Sequence, residues 1–564
     1  MKVSRLSLCD AVPLLGQLRH CSLRSVRGDV VAGFAVAVTL VPQGLGYGQL
    51  AGLPPVTGLY TAVGAMVVFA LVTSTRLMAV GPSSTLAIMT FTAVTSRADG
   101  DAARAASLAA CLALMTGALL LLPGRLRGLT SLLSAPVVLG YLAGTAVQIM
   151  ASQVGKLLGV KTDSDHPMGK VWEVLTHLDQ IQWVTAAVGL VSLLALVLLK
   201  PVFHAVSVLY AVPVTPVVCV AAVAVSAAAD LASHGVAMTG RISGGLPAPN
   251  WPEVSAGDVW ALLPAAAGMA MIASIEGTAA LRRTALPSGT PISLVRESAA
   301  MGAASAGAGA LGGFAAMPST QRTLSARGSG AHSQLFQLVC AGFVVVGVLT
   351  TGPVIALLPV SVLAAVVMVS ASHLIDVVGF QRLWHGWRRE SALALVTAAS
   401  VMALGVLYGL LVAVILAFVQ LLRRVAWPHD AVLVVPDDGR PPHEVDPDEA
   451  VSTDVLIYRV DAPLFFANAG RISQRVLTLA AARSPYPRYV VLDAEAVFYL
   501  DATATETLAQ LAVDLRGRNC ELVVARPREQ VLATLRANTY QDGATQQLSV
   551  FPTVREAYAA LRKH

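Results

Sequence analysis

Two short stretches decide how this chain is read: Gly81-Pro82-Ser83-Ser84-Thr85 and Met317-Pro318-Ser319-Thr320-Gln321-Arg322-Thr323. Each opens an apolar run, near 84–96 and 320–329, that is too short to cross a bilayer, which takes roughly 20 residues. Proline suits the first turn of a helix, and Ser and Thr cap it or add donors. A helix that starts inside a membrane leaves backbone N–H groups unpaired and carries a partial positive charge at that end. Two such starts facing each other make an anion site. A single Pro-Ser pair would read as a bend and a cap; two at matching places in two halves argue for a shared site.

Outward from these stretches, apolar spans lie near 30–45, 56–72, 84–96, 103–122, 131–152, 184–199, 206–229, 259–281, 298–316, 320–329, 335–350, 354–372, 378–400 and 402–424. Each short span follows two longer ones, and the second stands seven spans after the first. An odd separation reverses direction, so the halves are predicted to be inverted, with the binding site at the short helices. Bulk composition agrees: 55% of the 564 residues are apolar and 13% charged, against about 25% charged in soluble chains.

The positive residues collect on one side. The N-terminal segment holds Lys2, Arg5, Arg19, Arg24 and Arg27, and loops on the same side hold Arg76, Arg125, Arg127, Lys200, Arg282, Arg283, Arg296, Arg382, Arg388, Arg389, Arg423 and Arg424. That side is predicted to be cytoplasmic, with both termini on it. The net charge of +6 is therefore a topology signal and not a nucleic-acid footprint. The first 28 residues lack a small-residue cleavage site and read as a retained cytoplasmic segment. Cys9, Cys21, Cys111, Cys219, Cys340 and Cys520 are scattered without metal-ligand spacing, so neither a metal nor a cofactor is expected.

Beyond 427 the texture becomes that of a soluble protein. Residues 428–453, rich in Pro and acidic residues, read as a linker, and 454–564 as a small cytoplasmic α/β domain. Strands are expected at 455–460, 489–492 and 521–524, with amphipathic helices between and after them. The membrane domain is then 29–427, and the fold class is an α-helical polytopic membrane protein followed by an α/β domain.

The run Gly28-Asp29-Val30-Val31-Ala32-Gly33, then Val41-Pro42-Gln43-Gly44-Leu45-Gly46-Tyr47 and Ala51-Gly52-Leu53-Pro54-Pro55-Val56-Thr57-Gly58-Leu59-Tyr60, resembles the SulP anion transporters (solute carrier family 26). Gly81-Pro82-Ser83-Ser84, Ile275-Glu276-Gly277 and Gln321-Arg322-Thr323 continue it, and Tyr458 to Ala469 resembles the start of a STAS domain. The resemblance implies 14 transmembrane segments in two inverted seven-helix repeats, a core bundle moving against a gate bundle, and substrate between the third and tenth helices. It also implies a homodimer, a menu of sulfate, bicarbonate, chloride or dicarboxylates, and frequent coupling to H⁺ or Na⁺. The segments at 294–298, 318–320 and 328–332 depart from the family pattern, which leaves the particular anion open.

Candidate site residues follow from both readings. Ser83, Ser84, Thr320, Gln321 and Arg322 sit at the two helix starts. Arg322 opposes the local dipole, so it either adds charge for an anion or pairs with Glu276. Glu276 lies inside an apolar span, where a carboxylate is costly; it either takes a coupling proton or pairs with a cation. Ala280 stands one turn on, where sodium-coupled relatives have a hydroxyl, which favours H⁺ over Na⁺. Gln43 and Tyr47 follow Pro42 where Gly44, Gly46 and Gly48 are expected to break the first span. They either touch substrate there or belong to a kinked, close-packed helix. Gly302–Gly313 reads as helix packing, and His373 and Asp376 receive no role.

In the soluble domain Thr503 is either a helix cap or, by resemblance to anti-sigma antagonists, a regulatory phosphosite. No nucleophile–base pair or phosphate loop is present, so an enzyme is not expected. The expected function is proton-coupled, alternating-access transport of a small anion at the cell membrane, with the STAS domain open to a cytosolic partner. Alternatives are a nucleobase transporter of the same architecture, a channel-like anion conductance, and a membrane-anchored scaffold.

Overall fold

The computed structural model describes residues 13–18, 22–98, 100–122, 134–164, 166–205, 213–240, 245, 252–284, 293–350, 352–436, 438, 440–446, 454–537 and 548–562. They form two compact units that meet in sequence between Ala417 and Phe418.

The first unit is helical, and every predicted span holds a helix. Among the described residues, seven helices are long and apolar enough to cross a membrane, and four shorter apolar ones accompany them. One predicted span is described only in part, and two others are each a pair of helices. Only Val214–Ala228 of the stretch 206–229 is a described helix, 206–212 lying outside the described residues. The stretch 354–372 is split into Gly352–Ala356 and Val360–Ser372. The stretch 378–400 is two helices, Val377–Gly386 and Arg388–Leu404. The first of this last pair buries none of its residues and is capped by Asp376, whose Oδ1 accepts from Gly379 N at 2.8 Å.

The inverted repeat shows in which helices pack together. Leu294–Ala310 packs on Ala102–Leu121, and its mates seven spans away, Thr57–Val72 and Leu335–Thr350, also pack together. Leu23–Leu50 packs on Leu335–Thr350 just as Ala256–Thr284 packs on Ala102–Leu121. Ala135–Leu158 meets Arg388–Leu404, and Val360–Ser372 meets Trp183–Ala205. The first four helices of each half thus make one bundle, and the remaining helices make a second.

Small residues set these contacts, as expected for membrane helices. A methyl group on Gly117 would stand 2.6 Å from the Gly302 carbonyl oxygen, and one on Gly144 2.7 Å from that of Ala398. The run from Gly302 is therefore packing, as its composition implied. The glycines of the first span act the same way. Gly46 lies against Val367, where a Cβ would meet a methyl at 2.6 Å. That helix runs unbroken from Leu23 to Leu50 with Pro42 inside it; the expected interruption does not exist, because close neighbours and not exposed backbone account for the glycines.

At the centre of the first bundle the lead-ins to the two short helices cross. Val80–Gly81 (β1) pairs antiparallel with Met317–Pro318 (β2), Val80 opposite Pro318 and Gly81 opposite Met317. Buried backbone must find partners in a membrane, and here each lead-in supplies them to the other. The short helices Ser84–Ala98 and Thr320–Gly328 begin directly after this crossing.

Among its described residues the second unit holds one sheet of six strands, β3 (Asp430–Val434), β4 (His443–Val445), β5 (Val455–Val460), β6 (Tyr489–Asp493), β7 (Glu521–Ala525) and β8 (Ser549–Phe551), in the order β4-β3-β5-β6-β7-β8. The strands β5, β6, β7 and β8 run parallel. The stretch expected to be a linker contributes β3 and β4, antiparallel additions on the edge beside β5. The short apolar run Ala431-Val432-Leu433-Val434-Val435, between Asp430 and the Pro- and acid-rich stretch that follows, made the first of them inconspicuous. The helix Ala502–Arg516 is capped by Asp501, whose Oδ1 accepts from Ala504 N at 2.7 Å. Thr503 is exposed and is not the cap.

Candidate functional site

A cavity of about 1400 Å³ lies in the first unit. Its inner wall is made by Gln43, Tyr47, Ser83, Ser84, Thr320, Gln321 and Arg322, and Glu276 also faces it. Every residue predicted for substrate or proton thus borders one space. Arg282, Arg283 and Arg382 line the same space and are exposed, which marks its mouth. Thr503 belongs to the other unit and has no part in it.

The Arg322 guanidinium is buried and bridges the two halves. Both Nη1 and Nη2 donate to the Pro82 carbonyl at 3.1 Å, whereas Nε has no hydrogen-bond partner. Ser319 Oγ caps the helix by accepting from Arg322 N at 3.4 Å. Behind the crossing, Ala79 N donates to Thr323 Oγ1 at 2.9 Å, and Val80 N donates to Gln337 Oε1 at 2.9 Å. Gln337 Nε2 in turn donates to Gln334 Oε1 at 2.6 Å. This network holds the first half-helix in register with the second, and so places both N-termini on one cavity wall.

Glu276 and Arg322 do not form the ion pair considered from the sequence. The guanidinium is turned to the Pro82 carbonyl, and Glu276 Oε1 is buried without a hydrogen-bond partner. Around Glu276 stand Thr85 on the first short helix and Tyr141 on the second bundle. Tyr47 is neighboured by Ser84, Ser370 and Arg322. Thr85, Tyr141 and Ser370 were missed, because a hydroxyl in an apolar helix gives no signal until its neighbours are known.

Two buried carboxylates were also missed as structural residues. Glu297 accepts from Thr73 Oγ1 at 2.6 Å and from Ser74 N at 3.0 Å and Ser74 Oγ at 2.5 Å. Asp29 accepts from His332 N at 2.6 Å, Ser333 N at 3.0 Å and Ser333 Oγ at 2.6 Å. They anchor the loop before the first lead-in and the loop after the second short helix. Both stood in view as carboxylates at the ends of apolar spans. His373 and Asp376, given no role, border the cavity, and His373 Nε2 lies 3.1 Å from Lys200 Nζ.

Residues 26–397 match the model of the Sulfate permease family, and 446–557 that of the STAS domain. A probable sulfate transporter of Mycobacterium tuberculosis is 36% identical over 555 residues, covering 98% of each chain. A chloroplastic sulfate transporter of Arabidopsis thaliana is 27% identical over 90% of this chain and 76% of its own. Among solved structures, the murine solute carrier 26 member A9 anion transporter, in its inward-facing state, aligns over 100% of this chain and 96% of that one. Its TM-score is 0.87 at 20% identity. The transmembrane domain of the cyanobacterial bicarbonate transporter BicA aligns over 70% of this chain and 98% of that one, with a TM-score of 0.60 at 21% identity.

Proposed function

Since this chain belongs to the sulfate permease family and carries a STAS domain, we propose that it is a secondary transporter that moves sulfate or a similarly small anion by alternating access. It is a multi-pass membrane transporter of anions and not an enzyme. The observation that carries the reading is the convergence of two half-helix N-termini and the buried Arg322 on one cavity wall. Fixed positive ends and a cation select an anion. Sulfate ranks first because the relative similar over almost the full chain is named a probable sulfate transporter; bicarbonate and dicarboxylates remain on the menu.

The cavity opens to the cytoplasm, since Arg282, Arg283 and Arg382 at its mouth lie on the positive side. Glu276 carries the coupling proton. A half-buried carboxylate beside the anion site, its Oε1 buried without a hydrogen-bond partner, admits a proton as the anion enters, which lowers the charge moved across the membrane. H⁺ is favoured over Na⁺ because Ala280 offers no oxygen one turn on. The protein works as a homodimer in the cell membrane, with 1–28, the segment 428–453 and the STAS domain at 454–564 in the cytoplasm. Thr503, exposed beside a helix N-terminus, is available for phosphorylation, and a cytosolic protein is the expected reader of that state.

Labelled-sulfate uptake by the purified protein in proteoliposomes tests the proposal. Uptake should rise with an inward proton gradient, compete with other small anions and ignore uracil. Competition by uracil and not by sulfate would favour a nucleobase carrier, and ion flux far above carrier rates would favour a channel. If Glu276→Gln leaves the gradient dependence intact, the coupling role is lost.

A further inference from the structure

The seam between the two bundles is open at the cavity mouth and closed at its far end, and two lysines make polar contacts across that closed end. Lys156 lies in the last turn of Ala135–Leu158, a helix of the second bundle. Its Nζ donates, at 3.4 Å, to the carbonyl of Gln49 in the last turn of Leu23–Leu50, a helix of the first bundle. Lys170 sits on Pro167–Thr176, which packs on that same second-bundle helix. Its Nζ stands 5.1 Å from the ring centre of Phe91, on the short helix Ser84–Ala98 of the first bundle. The two ammonium groups feel each other electrostatically, so both contacts belong to one patch.

Position along the helices places this patch beyond the site. Leu142 is the last residue of Ala135–Leu158 on the cavity wall, and Lys156 follows it by roughly 20 Å of helix. Gln49 follows Tyr47, and Phe91 lies two turns past Ser84, in each case leading away from the cavity. The chemistry also differs from that inside each bundle. There, glycines bring backbones together in dry contact, as at Gly117 with Gly302 and Gly144 with Ala398. At the far seam, apolar side chains such as Leu50 and Ile149 share one cluster, and the lysines add one long hydrogen bond and one cation–ring contact. Gln49 Oε1 and Gln153 Oε1 beside them are buried without partners. Groups left unsatisfied when a seam is shut regain water when it opens, so this seam is suited to part.

We propose that Lys156 and Lys170 form the outer gate of the transport path and, once the first bundle moves, draw in the incoming anion. The inference rests on the alternating-access reading above. While the cavity mouth is open, the two ammonium groups hold the opposite end closed through a carbonyl and a ring. When that end opens, both charges lose these partners at the outer mouth, where they raise the local concentration of an approaching anion.

The test uses the full chain in proteoliposomes, with labelled sulfate offered from one side at a time, and the double variant Lys156→Met/Lys170→Met. KM from the outer side should rise about tenfold and lose its dependence on ionic strength. KM from the cytoplasmic side should stay as it was, and Lys156→Arg/Lys170→Arg should keep both values. An equal rise on both sides, or an unchanged outer KM, overturns the proposal. A second measurement needs no transport. S370C, on the cavity wall, should react faster with an impermeant maleimide added outside when the two lysines are methionine; an unchanged rate refutes the gate. Absence of sulfate flux in the unaltered protein would count against the transport reading instead, and the labelling would still decide on the gate.

Discussion

Arg322 is the residue on which the site turns. It is buried, its two Nη atoms share one carbonyl, and its Nε is unpaired, so its donor capacity is only partly used. An anion at the neighbouring N-termini would take up the remainder. Arg322→Gln keeps a donor but removes the charge, and a charge-assisted contact is worth about 1.5–3 kcal/mol. We expect kcat/KM for sulfate to fall about 10- to 100-fold in proteoliposome uptake, with the protein still folded. Glu297 poses a different question. It accepts three hydrogen bonds in a buried place, and Glu297→Ala would orphan the Thr73 and Ser74 donors. The cost should be roughly 3 kcal/mol, seen as a lower melting temperature in detergent. A melting temperature equal to that of the unaltered protein would mean that water replaces the carboxylate.

At the scale of elements, glycines set close helix contacts, within a bundle at Gly117 and between the bundles at Gly46 against Val367. Gly117 and Gly302 stand where the Ala102–Leu121 and Leu294–Ala310 helices cross, and a Cβ at either position would lie 2.6 Å from the other's carbonyl oxygen. Gly117→Val should therefore push the helices apart and reduce the yield of monodisperse protein, read by size-exclusion chromatography. Gly342 has open space around it, and Gly342→Ala is the control that should leave the yield unchanged. The short helices depend on the same bundle. Their N-termini are fixed by the β1–β2 crossing and by Gln334 and Gln337 behind it, none of which touches solvent freely.

At the scale of the whole molecule, the chain consists of two units with separate cores. Residues such as Met66, Phe69 and Phe336 fill the first, and Tyr458, Leu492 and Leu515 fill the second. In the second unit Arg526 pairs with the fully buried Asp493 and with Glu495, 2.7 Å away. Its backbone φ of 53° suits glycine better than arginine. Arg526→Gly thus relieves the backbone while leaving Asp493 uncompensated, at a cost of about 2 kcal/mol, discounted because the arginine is partly exposed. Calorimetry of the full chain should show the transition of the soluble unit lowered and that of the membrane unit unmoved. A shift of both together would show that the units unfold as one.

What the chain declared on its own was whatever depends on local sequence: span positions, the two matched helix starts, the positive side and the α/β alternation after residue 454. Hydrophobic length and proline placement act over a few residues, so they can be read without a partner. Contacts across long separations were decided only in three dimensions. Glu276 and Arg322 both invited pairing, yet the guanidinium found the Pro82 carbonyl 240 residues away. Gly44, Gly46 and Gly48 looked like a break and proved to be a packing surface. The strands between 428 and 453 became visible only beside β5, since a short edge strand is defined by the neighbour it pairs with. The two helix starts announced an anion site, and folding supplied the shared wall on which their positive ends and a buried cation meet.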